Sequence, residues 1–127
     1  KIITRYIKKH NHIIFQKFLP KISKGDKRVF IINGKVKGSI TRVPKTGSIL
    51  SNMSKGAVAK ISELTKQEMK ISKQVANLLK QKNIYFAGID FIQGQLIGDI
   101  NVTSPTGLAS YFSLTGNNLA KYFWDNI

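Results

Sequence analysis

The sequence has no cysteine, which removes disulfides, thiolate metal ligands and thiol nucleophiles at one stroke. Acidic residues are scarce, 6 against 21 basic ones, for a formal net charge of +15. Arginine is scarce as well, because 18 of the basic residues are lysine and only three are arginine. Surfaces that read nucleic-acid bases lean on arginine and on aromatic platforms. No basic run here is interleaved with aromatics in that way, so nucleic acid is not the expected partner. No apolar run approaches membrane-spanning length and no signal-peptide pattern is visible, so no membrane partner and a cytoplasmic location are expected. The strong positive balance instead favours small anionic partners such as nucleotide phosphates or acidic substrates.

The 127 residues suit one domain with a real core. The chain opens on Lys1, inside what reads as the later turns of a helix, "IITRYIKKH", so a fragment of a longer chain is expected. "IIFQKFLP", Ile13 to Pro20, reads as a buried strand stopped by proline. "KRVFIINGKVKGSITRV" is the clearest hairpin, with Asn33-Gly34 favouring a type I′ turn. From Pro44 to about Ala59 the pattern dissolves into Gly- and Ser-rich sequence, which predicts a long, mobile binding loop over about residues 45 to 60. Thr65 and Glu68 form a capping box at the head of a helix whose apolar face carries Met69, Val75, Ala76 and Leu79, with Asn83 as its stop. "IYFAGIDFI" and "LIGDINV" read as a second hairpin around Gly94. "LTGNNLAKYFWDNI" predicts a cap at Thr115 or Asn117 and a short terminal helix. His10 and His12 fall at the end of the first helix and are expected to be exposed. The fold class is α+β: an antiparallel sheet with helices packed on it.

When acids are rare, acids inside apolar strands need a reason. Asp90 lies in one arm of the second hairpin and falls opposite Gly98 or Asp99 in the other. Asp99 and Asn101 share a face, because side chains alternate along a strand. Two carboxylates and an amide therefore converge, and like charges on paired strands repel. Neither arm supplies a lysine or arginine. Oxygen-only ligands fit a hard divalent cation, with Mg²⁺ taking one or two carboxylates plus substrate phosphates. The alternative is structural: Asp90 guards an edge and Asp99-x-Asn101 simply opens the turn at Thr103. Gly88 and Gly98 leave room for close approach. Arg28 and Arg42 suit bidentate contacts with carboxylate or phosphate. In an ideal two-residue hairpin Arg28 lies opposite Ser39 and Arg42 points to the other face. Either a bulge near Gly38 resets the alternation or only one arginine reaches the site.

The segments "GDKRVFIINGK", "RVP", "FAGIDFI" and "DINVTSPTG", in this order, resemble the C-terminal part of bacterial glutathione synthetase, an ATP-grasp ligase. The resemblance spans essentially the whole chain and less than half of the family's length. It implies an ATP-dependent ligase that joins γ-glutamylcysteine and glycine through an acyl phosphate, with ATP as co-substrate and Mg²⁺ or Mn²⁺ as cofactor. It implies metal ligands at Asp90, Asp99 and Asn101, where the family usually has Glu at the second position. It implies ATP contacts from Gln16, Lys17, Phe18 and Leu19 in a hinge and from Asp26 near the ribose. Arg28, Arg42, Ser104 and Thr106 match substrate-binding positions, with Arg42 at the reacting phosphate. Gly47, Asn52 and Gly56 match the loop, while Leu50 and Val58 stand where family arginines are common. A homo-oligomer is implied for the full-length enzyme. Two other readings stay open from the residues: another ATP-grasp ligase with different substrates, and a non-catalytic basic module for nucleotides or RNA.

Overall fold

The computed structural model describes residues 1–48, 51, 56–92 and 94–127. Its centre is a five-stranded antiparallel sheet in the order β3-β2-β1-β4-β5. The strands are β1 (Asp26–Ile32), β2 (Lys35–Val43), β3 (Val58–Ile61), β4 (Phe86–Ile92) and β5 (Gln95–Asn101). The helices are α1 (Ile2–His10), α2 (Lys66–Gln81), α3 (Leu108–Thr115) and α4 (Leu119–Trp124), and a short 3-10 turn spans Pro20–Lys24. None of the helices among the described residues is long and apolar enough to cross a membrane.

The two faces of β1 make two cores. Val29 and Ile31 pack with Ala87, Ile89 and Phe91 against Ala76 and Leu79 of α2. Phe30 and Ile32 pack with Ile40 against Tyr111 of α3 and Leu119 of α4. A central strand covered on both sides needs apolar residues at every position. Val29 to Ile32 supply them, all four fully buried.

The first hairpin turns at Asn33-Gly34, where both residues have positive φ (48° and 66°), as a type I′ turn requires. The pairing then slips between Phe30 and Ile31: Ile31 opposes Val36, Phe30 opposes Gly38, and Lys37 is left as the extra residue of a bulge. Beyond it Arg28 opposes Ile40 and Asp26 opposes Arg42, which brings both arginines to the α3 face. Tyr111 covers the bulge, so a methyl group on Gly38 would fall 2.5 Å from its ring. Lys37 is held by the Tyr122 ring, 3.6 Å from its ammonium.

Helix α2 carries the expected capping box, with Thr65 and Glu68 bonded reciprocally. Asn83 follows the helix with φ 57°. Its buried residues are Glu68, Ser72, Ala76 and Leu79, so the inward face is centred one position round from the expected Met69 and Val75.

Four expectations are corrected. Ile13 to Pro20 is not a buried strand, since Ile14, Phe15 and Phe18 are exposed and no strand among the described residues pairs with the segment. Apolar residues form a strand only where a ladder has a vacancy. The 45–60 loop ends early, because Val58–Ile61 pairs with β2 as an edge strand and Ala57 is buried beside it. Helix α3 follows directly on the Thr103–Gly107 turn, where no helix was expected. The cap of α4 is Asn118, which accepts from the Lys121 amide, while the Thr115 hydroxyl turns back to the Tyr111 carbonyl. His10 and His12 are exposed as expected.

Candidate active site

The register of three strands gathers the charges. Arg28 in β1 sits directly opposite Asp90 in β4, and Asp26 sits directly opposite Arg42 in β2. All four side chains are buried. Arg28 donates from Nε to Asp90 Oδ1 and from Nη2 to Asp90 Oδ2, the latter at 2.7 Å. Arg42 donates from Nε to Asp26 Oδ1 at 2.9 Å and from Nη2 to Asp26 Oδ2. The same Arg42 Nη2 reaches Asp90 Oδ2 at 2.8 Å. The result is one continuous chain, Asp26–Arg42–Asp90–Arg28. Forked guanidinium–carboxylate pairing of this kind is the geometry that best offsets burial of charge.

These contacts place positive charge beside Asp90 from the protein itself. Neither arm of the second hairpin holds a cation, but β1 is the next strand in the sheet and contributes Arg28. Burial alone would push the Asp90 carboxyl up, yet the hydrogen bonds and charge of Arg28 and the charge of Arg42 hold it below the usual carboxylate range. Burial disfavours the Arg42 cation, but the bond to Asp26 and the charge of Asp90 leave its pKa raised.

Asp99 differs. It is 58% exposed, and its Oδ2 lies 3.8 Å from Arg28 Nη2. Burial, a hydrogen bond to Asp90 and the Asp90 charge raise its pKa, against the pull of both arginines. The β4–β5 ladder is irregular here: Ile89 opposes Ile100, and Phe91 opposes Leu96, so β5 carries extra residues opposite Asp90. Asn101 opposes Gly88. Its Oδ1 accepts from the Thr103 and Ser104 amides at 3.2 and 3.0 Å and lies 3.4 Å from the Thr103 hydroxyl. This is the turn-opening arrangement.

Gly88 has a specific job. A methyl group there would meet Arg28 Cδ and Nη1 at 2.9 Å and Pro105 Cβ at 3.0 Å. Arg28 therefore crosses β4 over the glycine, under the Thr103–Gly107 turn, and its Nη1 reaches the Thr106 carbonyl at 3.4 Å. Gly107 (φ 113°) packs on Phe30 and Ile40 and docks the turn onto the sheet. Ser104 and Thr106 are exposed on that turn.

Arg28, Arg42, Asp26, Asp90, Asp99, Asn101 and the 104–106 turn are thus brought together on one face. Asp26, which the resemblance puts near a ribose, accepts from Arg42 on both oxygens. Gln16, Lys17 and Phe18 are exposed and Leu19 half-buried in an irregular segment ahead of the 3-10 turn. Gly47 and Gly56 have φ of 82° and 83°, while Leu50 and Asn52 lie outside the described residues. No group of three His, Cys, Asp or Glu that could hold a metal occurs among the described residues. The donors of Asp90, Asp99 and Asn101 fit a hard cation in kind, since all are oxygens. As arranged, Asp99 faces solvent while Asp90 is closed by guanidinium groups.

The pairing of Asp26 with Arg42 and the passage of Arg28 over Gly88 were not read from the sequence. One signal was there: three of the six acids and two of the three arginines meet at this site.

Comparison with known proteins gives a consistent result. The family model for "Prokaryotic glutathione synthetase, ATP-grasp domain" matches residues 1–116. The glutathione synthetase of Bradyrhizobium diazoefficiens is 40% identical over 114 residues, which cover 90% of this chain and 36% of that protein. The glutathione synthetase of Prochlorococcus marinus subsp. pastoris is 39% identical over 108 residues, 85% of this chain and 35% of that protein. That of Thermosynechococcus vestitus is 35% identical over 109 residues, 86% of this chain and 34% of that protein. The chain thus spans about a third of the length of these relatives. With the match covering nearly all of it, the chain belongs to the ATP-grasp domain family of prokaryotic glutathione synthetases.

Proposed function

We propose that this chain supplies the acid-substrate and metal side of an ATP-dependent ligase that joins γ-glutamylcysteine to glycine. The observation that carries the reading is the pair of buried arginines beside Asp90 and Asp99, roofed by the Thr103–Gly107 turn. A substrate carboxylate oxygen attacks the γ-phosphorus of ATP and ADP leaves. The glycine amine then attacks the acyl carbon, loses a proton, and phosphate leaves.

The first step needs no general base, because the nucleophile is already ionised. The work left to the protein is positioning and charge stabilisation. Arg28 and Arg42 would hold positive charge beside the substrate carboxylate and the transferred phosphoryl group, each with guanidinium N–H groups beyond those already bonded to Asp90 and Asp26. Ser104 and Thr106 offer hydroxyls at the mouth of the site. Asp90, Asp99 and Asn101 would hold Mg²⁺ or Mn²⁺, which supplies charge neutralisation along the phosphates when bound. The hinge Gln16–Leu19 would contribute backbone contacts to adenine. A homo-oligomeric enzyme of the cytoplasm completes the reading.

The test is ADP release by the full polypeptide in which this sequence occurs. Release that requires both γ-glutamylcysteine and glycine supports the reading. Release with a different acid and amine makes it another ATP-grasp ligase. RNA binding without any turnover would leave a basic binding module. Arg42→Gln is expected to cut turnover about a hundredfold, as for loss of one charge-stabilising donor.

A further inference from the structure

The chain Asp26–Arg42–Asp90–Arg28 is not symmetric, and the asymmetry bears on how the site opens. Asp90 cannot serve its guanidinium partners and a cation together. Its Oδ1 takes Arg28 Nε, and its Oδ2 takes Arg28 Nη2 and Arg42 Nη2. The residue is only 2% exposed, so its lone pairs face these donors and not water. A hard cation bonds its oxygens at about 2.0–2.1 Å for Mg²⁺ and would arrive beside two positive groups.

The two arginines differ in what would hold them afterwards. Arg42 keeps both bonds to the buried Asp26. Arg28 keeps only the Thr106 carbonyl at 3.4 Å and the exposed Asp99 at 3.8 Å. It also lies in the slot over Gly88 that leads under Pro105 to the substrate turn. We propose that Arg28 is the exchangeable counter-ion of Asp90, displaced when a divalent cation arrives and moved toward the 103–107 turn, while Arg42 stays anchored on Asp26. The acid-binding arginine is then released by the event that loads the metal. The inference rests on the reading of Asp90 and Asp99 as metal ligands.

The probe is Mn²⁺ alone, added to the full polypeptide in which this sequence occurs and followed through the loss of its free spin-resonance signal. Arg28→Gln is expected to tighten binding about tenfold, since a competing buried charge is gone. Arg42→Gln is expected to tighten it less. Lys70→Gln with Lys73→Gln on exposed α2 removes more charge and is expected to change nothing, which separates exchange from bulk electrostatics. Because removing Arg28 strips a buried carboxylate of a partner and can unfold the chain, a second measurement uses the wild type. On titration with Mg²⁺, the Arg28 Nε proton is expected to lose its protection from solvent exchange while that of Arg42 keeps it. If Mn²⁺ binds in a way that Asp99→Asn abolishes, yet Arg28→Gln does not tighten it and Arg28 stays protected, the exchange is wrong and the metal reading stands. If Asp99→Asn has no effect on Mn²⁺, the metal reading falls and the exchange falls with it.

Discussion

Charged pairs leave β1 on both of its faces, and they are built to different ends. On the α2 face Lys27 meets Glu68 at 2.6 Å, and the same Glu68 oxygen accepts the Thr65 amide at 2.8 Å. One anion answers one cation, the helix N-terminus is capped, and nothing is left over. On the α3 face three acids, Asp26, Asp90 and Asp99, share two arginines. A fold needs closed pairs, because surplus buried charge costs stability. A site that binds charged ligands needs the surplus. Here the four buried charges balance, and the surplus carboxylate is the exposed Asp99.

The strongest way to break the contrast is at Asp90. The hairpin alone implies that two carboxylates repel and that removing one leaves the metal-free fold no weaker. The arginines reverse that for Asp90. Asp90→Asn is expected to destabilise the metal-free chain by about 3–5 kcal/mol, the cost of breaking a buried pair, read from urea unfolding at neutral pH. No loss, or a gain, would show that the guanidinium contacts contribute little.

Glu68→Gln on the other face should cost less, about 1.5–3 kcal/mol for hydrogen bonds to a charged group. Burial would raise the Glu68 carboxyl, but Lys27 and the Thr65 amide hold it below its ordinary 4.5. A lowered folded-state pKa gives stability that is present above the unfolded value and lost as pH falls through the folded one. The gap between wild type and Gln is therefore expected to be full at pH 7 and to close below about pH 4.5. A gap that persists undiminished into strong acid would assign the loss to packing.

Ser72 sharpens the view of the α2 face. Its hydroxyl is buried with no hydrogen-bond partner. Ser72→Ala is expected to raise stability by about 1 kcal/mol by removing an unsatisfied polar group. A drop in melting temperature would mean that the hydroxyl has a partner in solution.

The smallest effect is at Asp99. Its pKa is raised by burial and by Asp90, so the folded state favours its protonated form. The resulting destabilisation is absent in acid and grows as pH rises past the unfolded value through the folded one. Asp99→Asn is expected to lift the metal-free melting temperature slightly at pH 7 and not at all at pH 3. Equal shifts at both pH values would remove charge from the explanation.

Elements whose signal is local were legible in the sequence. Asn33-Gly34 specifies its turn by backbone conformation, and Thr65 with Glu68 specifies a helix start by reciprocal bonds. Helix α3 was not legible, because "LASYFSLT" is largely apolar and aromatic and its N-cap is Gly107, with no side chain to bond the first amides. Ile13 to Pro20 has strand composition, but composition cannot say whether a ladder position is free. The site divided in the same way. Residue types marked Asp90, Asp99 and the arginines. Their pairing was not legible, because it depends on β1 lying between β2 and β4, and strand order is a property of the whole sheet.

The bulge at Lys37 carries a further consequence, for the side that each residue of β2 faces. Without the bulge, a regular ladder of the same length would set Arg28 opposite Ser39, turn Arg42 and Ile40 to the α2 side and bring Thr41 and Ser39 to the charged face. The site would lose an arginine without any arginine being mutated. Deleting Lys37 together with its bulge would instead keep Arg42 opposite Asp26, because the pairs on either side of Lys37 already fit a regular ladder. The bulge and the length of this arm are therefore matched, and the match is as much a part of the site as the guanidinium group itself.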